Sequence, residues 1–269
     1  MIVPGWWLDH LGFFSMRQQK PRIFLLLQQV YIDYQAILRT IAAVITAAGT
    51  GRRMGLSQPK QYLSVAGQPI IVHTLNRFVG IEGLRDVVVV VPPEDVTSFA
   101  TRILGAFGFP AHWKVIAGGD VRQHSVHNGL KALPGDVEVV VIHDGVRPFV
   151  TRATIERSIE TALSDGACMV GMPLKETIKR VGGESMIHET IDRTPLWGAQ
   201  TPQTFRFALI REAYARATSE NFIGTDDAML VERLGHKVRA LAGDYRNIKI
   251  TTPEDLDIAE AIAARWGNE

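Results

Sequence analysis

The 269-residue chain is long enough for one large or two small domains. With 46% hydrophobic and 21% charged residues it can build a core, which excludes global disorder. Its 29 Lys and Arg against 28 Asp and Glu leave +1, which gives no sign of a general polyanion-binding surface; its one cysteine, Cys168, excludes a disulfide framework or a cysteine-rich metal site.

Residues 1–39 differ in character from the rest of the chain. Trp6, Trp7, Phe13 and Phe14 lie among Gly and Pro without a steady period, and Met16 offers an alternative start. The segment reads as an N-terminal extension without a catalytic role. The apolar run Ile23 to Leu27 is too short for a signal-peptide core, and no small-x-small cleavage site comes after it. No stretch reaches the roughly 18 consecutive apolar residues of a membrane span. The expectation is a cytoplasmic protein with neither membrane nor nucleic acid as partner.

From Ile41 the pattern is orderly. Ile41 to Thr46 is a short apolar run suited to a buried strand, and it ends in a glycine- and arginine-rich loop, Ala47 to Gly55. Pro69 to Val79 reads as a helix with Pro at its start. Val87 to Val91 is five consecutive valines, apolar on both faces, as a helix-covered parallel sheet requires. Glu94 to Phe107 is a helix, Trp113 to Ala117 a strand, Arg122 to Leu133 a helix and Glu138 to Ile142 a strand. Thr151 to Leu163 places Ile155, Ile159, Ala162 and Leu163 on one helical face, and Ala167 to Met172 is the next strand. This rhythm predicts a three-layer α/β sandwich with a mostly parallel central sheet. It breaks at Thr177 to Val181 and Met186 to Thr190, which flank Gly182-Gly183-Glu184-Ser185 as an inserted hairpin arm, about residues 174–196. The αβ pattern returns with Phe205 to Ala217, Asp226 to Leu234, Lys237 to Leu241, Arg246 to Ile250 and a terminal helix from Pro253. One domain, residues 40–269, carries the arm.

The Ala47 to Gly55 loop follows the first strand of this region, and open α/β sheets bind ligands beyond the carboxyl ends of their strands. Its glycines let backbone N–H groups approach phosphates, and Arg52 and Arg53 add charge. It lacks both the G-x-G-x-x-G spacing and a closing Gly-Lys-Ser/Thr. Lys60, in Pro59-Lys60-Gln61-Tyr62, can return to the same phosphates as a mobile point charge, or stand at the surface. Asp144 follows the strand Val139 to Ile142 and is placed either to hold Mg²⁺ or to cap the turn. Asp120 offers a carboxylate to a base amino group, or caps its own turn. Arg193 after the hairpin and Lys249 near a strand end complete a set of four cations suited to several phosphates at once. Cys168 reads as core.

In order, the motifs Ala47-Ala48-Gly49-Thr50-Gly51-Arg52-Arg53-Met54, Pro59-Lys60-Gln61-Tyr62, Gly118-Gly119-Asp120, Ser125-Val126, Asp144-Gly145-Val146-Arg147-Pro148, Asp192-Arg193 and Asn247-Ile248-Lys249 resemble the 2-C-methyl-D-erythritol 4-phosphate cytidylyltransferase family of the non-mevalonate isoprenoid pathway. The match runs from about Ile41 to the terminal helix. The resemblance implies a Rossmann-like nucleotidyltransferase fold whose arm exchanges across a homodimer. It implies transfer of CMP from CTP to a small polyol phosphate, with Mg²⁺ or another divalent cation as cofactor. Carried over, Ala47, Ala48, Gly49, Gly51, Gly118, Asp120 and Ser125 bind the nucleotide. Arg53, Lys60 and Lys249 are catalytic at the phosphates, and Asp144 binds the metal. Arg147, Thr177, Arg193, Thr201 and Thr225 bind the polyol phosphate, with Thr177 and Arg193 coming from the partner's arm. Two departures stand out: the family usually has Pro at Thr46 and Ala-Ala at Gly145-Val146. The cyclodiphosphate synthase domain fused to some members is not expected. A ribitol-5-phosphate cytidylyltransferase is the nearest rival reading, and a non-catalytic nucleotide-binding protein is one of another class.

Overall fold

A computed structural model describes residues 40–49 and 59–266. The extension over residues 1–39, and Gly51 and Arg53 of the glycine-rich loop, lie outside the described residues. From Thr40 onward the chain forms one compact unit.

The main sheet has seven strands: β1 (Ile41–Thr46), β2 (Leu84–Val91), β3 (Lys114–Ala117), β4 (Val139–Asp144), β5 (Ala167–Pro173), β6 (Trp197–Arg206) and β7 (Arg239–Ala242), in the spatial order β3-β2-β1-β4-β6-β5-β7. All neighbours are parallel except β6, which runs antiparallel to both β4 and β5. The period-two alternation of strand side chains divides the core. Ile41, Ala43 and Ile45 of β1, with Val87, Val89 and Val91 of β2, pack on one face against α1 (Ile70–Asn76), α2 (Val96–Phe99) and α4 (Arg152–Asp165). Ala42, Val44, Val88 and Val90 pack on the other against α3 (Arg122–Lys131), α5 (Phe207–Ser219) and α6 (Asp227–Arg233). Both faces are thus buried, which is why the valine run of β2 has no polar side. A third cluster joins Ile70, Val146 and Ile250 to Ala259 of the terminal helix α7 (Pro253–Trp266). Cys168 is buried in β5, as its apolar neighbours lead one to expect.

Four elements differ from the sequence reading. The 94–107 segment is a composite, with a 3₁₀ turn at Pro93–Asp95, α2, and a π-helical stretch Ala100–Gly105. Strand β4 runs two residues beyond Ile142, so Asp144 is its last member, in register with Thr46 of β1. The segment from Trp197 is a ten-residue strand that the sequence hides. It is polar and carries Pro202, which removes a ladder donor; the register shifts between Ala199 and Gln203 around it. Arg246 to Ile250 belongs to no strand or helix, so Lys249 is not at a strand end. Tertiary bonds hold this stretch instead: Arg147 Nη1 donates to Asn247 O at 2.8 Å, and Ile250 N to Val146 O at 3.0 Å.

The arm is a separate two-stranded antiparallel sheet, Ile178–Val181 with Ile187–Ile191. Arg180 pairs with Glu189 across it at 2.6 Å, and Lys179 Nζ donates to Thr190 Oγ1 at 2.6 Å. Val181, Met186 and Ile187 on it are exposed by 53%, 69% and 63%.

Candidate active site at the carboxyl ends of the central strands

Sequence order and spatial order diverge at β1: the chain builds β2 and β3 on one side of it and then places β4 on the other. Ligands of open α/β sheets bind at such switch points. A cleft of about 630 Å³ opens there, within the usual size of small-molecule sites. Its walls come from the ends of successive strands: Thr46 to Gly49 after β1, Pro92 to Glu94 after β2, Gly118 to Val121 after β3, and Asp144. Lys60, Gln61, Arg122, Ser125, Val146, Lys249 and Thr251 complete the lining.

At one end of the cleft the lack of a side chain on Gly118 lets Ala48 and Ser125 approach its backbone closely. A Cβ there would lie 2.4 Å from Ala48 Cβ and 2.9 Å from Ser125 Oγ. Ser125, at the first turn of α3, fixes this turn by accepting a hydrogen bond from Gly119 N at 3.1 Å. Ala47, Ala48, Gly49, Gly118, Asp120 and Ser125 all belong to the lining of this cleft.

The other end is charged. Asp144 is buried at the floor, with Lys249 Nζ 3.0 Å from Oδ2, Arg122 Nε 3.1 Å from Oδ1 and Arg147 Nε 3.4 Å from Oδ2. Burial raises a carboxyl's pKa, but here the charges of Arg122, Lys249 and Arg147 outweigh it and hold Asp144 well below the ordinary carboxylate range. The hydroxyl of Thr46 also donates to Asp144 Oδ1, at 3.4 Å. Arg122 spans two acids, with Nη2 2.8 Å from Asp227 Oδ2. Burial opposes its charge, and Asp227 and Asp144 overcome that and raise its pKa.

Asp144 is also held from behind. Its N–H donates to Thr201 Oγ1 at 3.1 Å, and the Thr201 hydroxyl lies 3.0 Å from His143 Nδ1. His143 Nε2 is 3.2 Å from Arg147 O. A carbonyl only accepts, so Nε2 carries the proton, Nδ1 accepts from Thr201, and the imidazole is neutral. Complete burial pulls its pKa down to about 4, in agreement.

The structure thus brings Lys60, Asp144 and Lys249 together in one cleft with Gly49 and Gly118. Arg147 and Thr201 stand behind Asp144, buried, with their polar groups engaged internally. Thr177 and Arg193 are exposed on the arm, and Thr225 is exposed in the turn before α6. Arg122 and Gln61 escaped the sequence reading. Arg122 had a signal, standing two residues past Asp120 at the start of a helix that follows a strand end. Gln61 is fully buried in the lining of the cleft.

A family model described as 2-C-methyl-D-erythritol 4-phosphate cytidylyltransferase matches residues 41–265. The chain belongs to this family. It is 45% identical over 220 residues to the 2-C-methyl-D-erythritol 4-phosphate cytidylyltransferase of Caldanaerobacter subterraneus, covering 82% of this chain and 97% of the relative. Against the cytidylyltransferase of the same name from Geotalea uraniireducens the identity is 47% over 231 residues, with 85% and 99% covered. The crystal structure of 4-diphosphocytidyl-2C-methyl-D-erythritol synthase from Anaerococcus prevotii superposes with a TM-score of 0.76 at 31% identity, covering 86% of this chain and 99% of that one.

Proposed function

We propose that this cleft is where the enzyme transfers CMP from CTP to 2-C-methyl-D-erythritol 4-phosphate, giving 4-diphosphocytidyl-2-C-methyl-D-erythritol and pyrophosphate. The observation that carries the assignment is that Lys60, Arg122 and Lys249 line one cleft with an ionised Asp144 and with the close-packed Ala48, Gly118 and Ser125. In this reading Ala47, Ala48, Gly49, Gly118 and Ser125 hold the cytidine, and Asp120 accepts from its exocyclic amino group. Gly51 is assigned to the nucleotide and Arg53 to the triphosphate from their place in the motif alone. The activity is assigned to residues 40–269.

The attacking group is a phosphate monoester oxygen, already anionic near neutral pH, so no strong general base is required. It forms a bond to the α-phosphorus of CTP as the bond to the bridging oxygen breaks, and pyrophosphate leaves with that electron pair. Alignment and neutralisation of the phosphate oxygens then supply most of the catalysis. Lys249 is suited to this because its ammonium can pass from Asp144 to a phosphate, whereas Arg122 is anchored by Asp227 as well. Arg147 and Thr201 contribute by fixing Asp144.

The donor set fits a magnesium ion. Mg²⁺ is usually held by one or two carboxylates plus water and substrate phosphates rather than by an all-protein cage. Asp144 is one such ionised carboxylate in the cleft wall, and among the described residues no group of three or more His, Cys, Asp or Glu forms a cage. When bound, the ion would neutralise charge on the phosphates.

The arm supports assembly as a homodimer. A lone two-stranded sheet is marginally stable in water, and this one exposes Val181, Met186 and Ile187. A second copy would cover these residues and bring Thr177 and Arg193 to the polyol phosphate.

The test is pyrophosphate release with CTP and either 2-C-methyl-D-erythritol 4-phosphate or D-ribitol 5-phosphate. Turnover is expected with the first. Lys60→Ala and Lys249→Ala should lower kcat on the order of 100-fold or more with an unchanged circular dichroism spectrum. Near-native turnover in either variant would remove that lysine from the mechanism, and preference for ribitol phosphate would overturn the substrate assignment.

A further inference from the structure

The turn between α5 and α6 is held more elaborately than a surface connection requires. Gln123, one residue past Arg122 on α3, uses both ends of its amide on this turn: Nε2 donates to Phe222 O at 2.9 Å, and Oε1 accepts from Gly224 N at 2.8 Å. Gln203 of β6 holds the other side. Its Oε1 accepts from Asp227 N at 3.0 Å and Ala228 N at 2.9 Å, and its Nε2 donates to Asp226 Oδ2 at 2.8 Å. Asp226 then caps α6 through Met229 N at 2.9 Å. Arg122 ties Asp227 to Asp144, and Tyr214 donates its hydroxyl to Asp227 Oδ1 at 2.5 Å.

Between these two clasps stands Thr225, exposed, its hydroxyl making among the described residues only a long contact to Met229 Sδ at 3.6 Å. The connection from helix to helix needs none of this; short loops are ordinarily mobile at the surface. The bonds do fix one exposed hydroxyl relative to Asp144, through an unbroken set of contacts. Precise placement of substrate-contacting groups is what such supporting networks provide.

We propose that Gln123 and Gln203 are positioning residues for the polyol phosphate: they hold the 222–227 turn so that Thr225 meets that substrate at a preset place beside the nucleotide cleft. This rests on the reading of Thr225 as a substrate contact. Gln123 is the residue to test, because Gln203 is buried and serves the fold as well.

Gln123→Met keeps the side chain's bulk and removes both hydrogen bonds; Gln123→Glu keeps the acceptor for Gly224 N and serves if the first variant fails to fold. Steady-state kinetics should show the KM for the polyol phosphate rising about tenfold in Gln123→Met and less in Gln123→Glu, with the KM for CTP and kcat within about twofold. Thr225→Ala should raise the same KM, and Gln123→Met combined with Thr225→Ala should be no worse than Thr225→Ala alone, because one acts through the other. A merely structural Gln123 would lower the melting temperature and the active fraction with both KM values unchanged, which overturns the proposal. So does an independent, multiplying effect of the two substitutions, which leaves the reading of Thr225 intact. A Thr225→Ala variant with an unchanged KM overturns that reading and the proposal with it.

Discussion

Gly145 shows how closely the backbone around Asp144 is packed. A Cβ on it would lie 2.8 Å from Ile71 Cδ1, 3.0 Å from Thr46 O and 3.2 Å from Ala47 Cβ. Its own N–H donates to Thr46 O at 2.8 Å, and its carbonyl accepts from the buried Thr74 hydroxyl at 3.0 Å, so the turn cannot shift freely. Gly145→Ala is therefore expected to destabilise by about 1–3 kcal/mol through overpacking. Urea unfolding checks this, and a midpoint equal to the native one would show that Ile71 yields at no cost. The same packing explains what single residues disclosed. Asp144 was legible at the end of the apolar run Val139 to Ile142, whereas Lys60 and Lys249 stood out through the motifs Pro59-Lys60-Gln61-Tyr62 and Asn247-Ile248-Lys249. Arg122 and Thr46 act through ion pairs and hydrogen bonds with residues remote in the sequence, and only the folded chain shows that they reach Asp144.

The elements divide along similar lines. β1, β2 and β4 are apolar on both faces and could be read from composition alone. β6 could not, because its burial is compensated by polar pairs rather than by apolar side chains: Thr204 Oγ1 meets Ser158 Oγ at 2.8 Å, and Gln203 bonds the turn before α6. The segment carrying Lys249 has no ladder, and its position depends partly on where α7 begins. Pro253 stands at the first helical position, and the Asp255 carboxylate reaches back over the helix start, Oδ2 accepting from Thr251 N at 2.7 Å and Thr252 N at 2.9 Å. Burial opposes ionisation of Asp255, but the bonds from Thr251 and Thr252 prevail and lower its pKa. A carboxyl depressed on folding adds stability that is fully present above its unfolded pKa, near 4, and is lost as pH falls through the lower folded value. Asp255→Ala should therefore cost about 1 kcal/mol at pH 7 and progressively less in acid, read from melting temperatures across that range. A cost that persists at pH 2 would mean that Asp255 acts by packing and not as a charged cap.

On the scale of the molecule, the near-neutral charge conceals a division of labour. The cleft gathers Lys60, Arg122 and Lys249, whereas Arg193 sits on an exposed arm with Thr177. If the arm serves the cleft of a second copy, each active site is built from two chains, and the defects of two variants become separable. Take Arg193→Ala, defective in the arm, and Lys249→Ala, defective in the cleft. In a mixed dimer with exchanged arms, one cleft pairs an intact Lys249 with an intact Arg193, and the other carries both defects. Each mixed dimer has one competent site of two, so mixed dimers isolated from both parental forms should show roughly half of native activity. Arms that fold back on their own chain leave every site with one defect, and mixing restores nothing. Co-expression of two differently tagged variants, purification through both tags and the pyrophosphate-release assay decide between these arrangements. Mixed dimers that form but remain inactive would place Arg193 in its own chain's cleft, whatever the strength of the dimer.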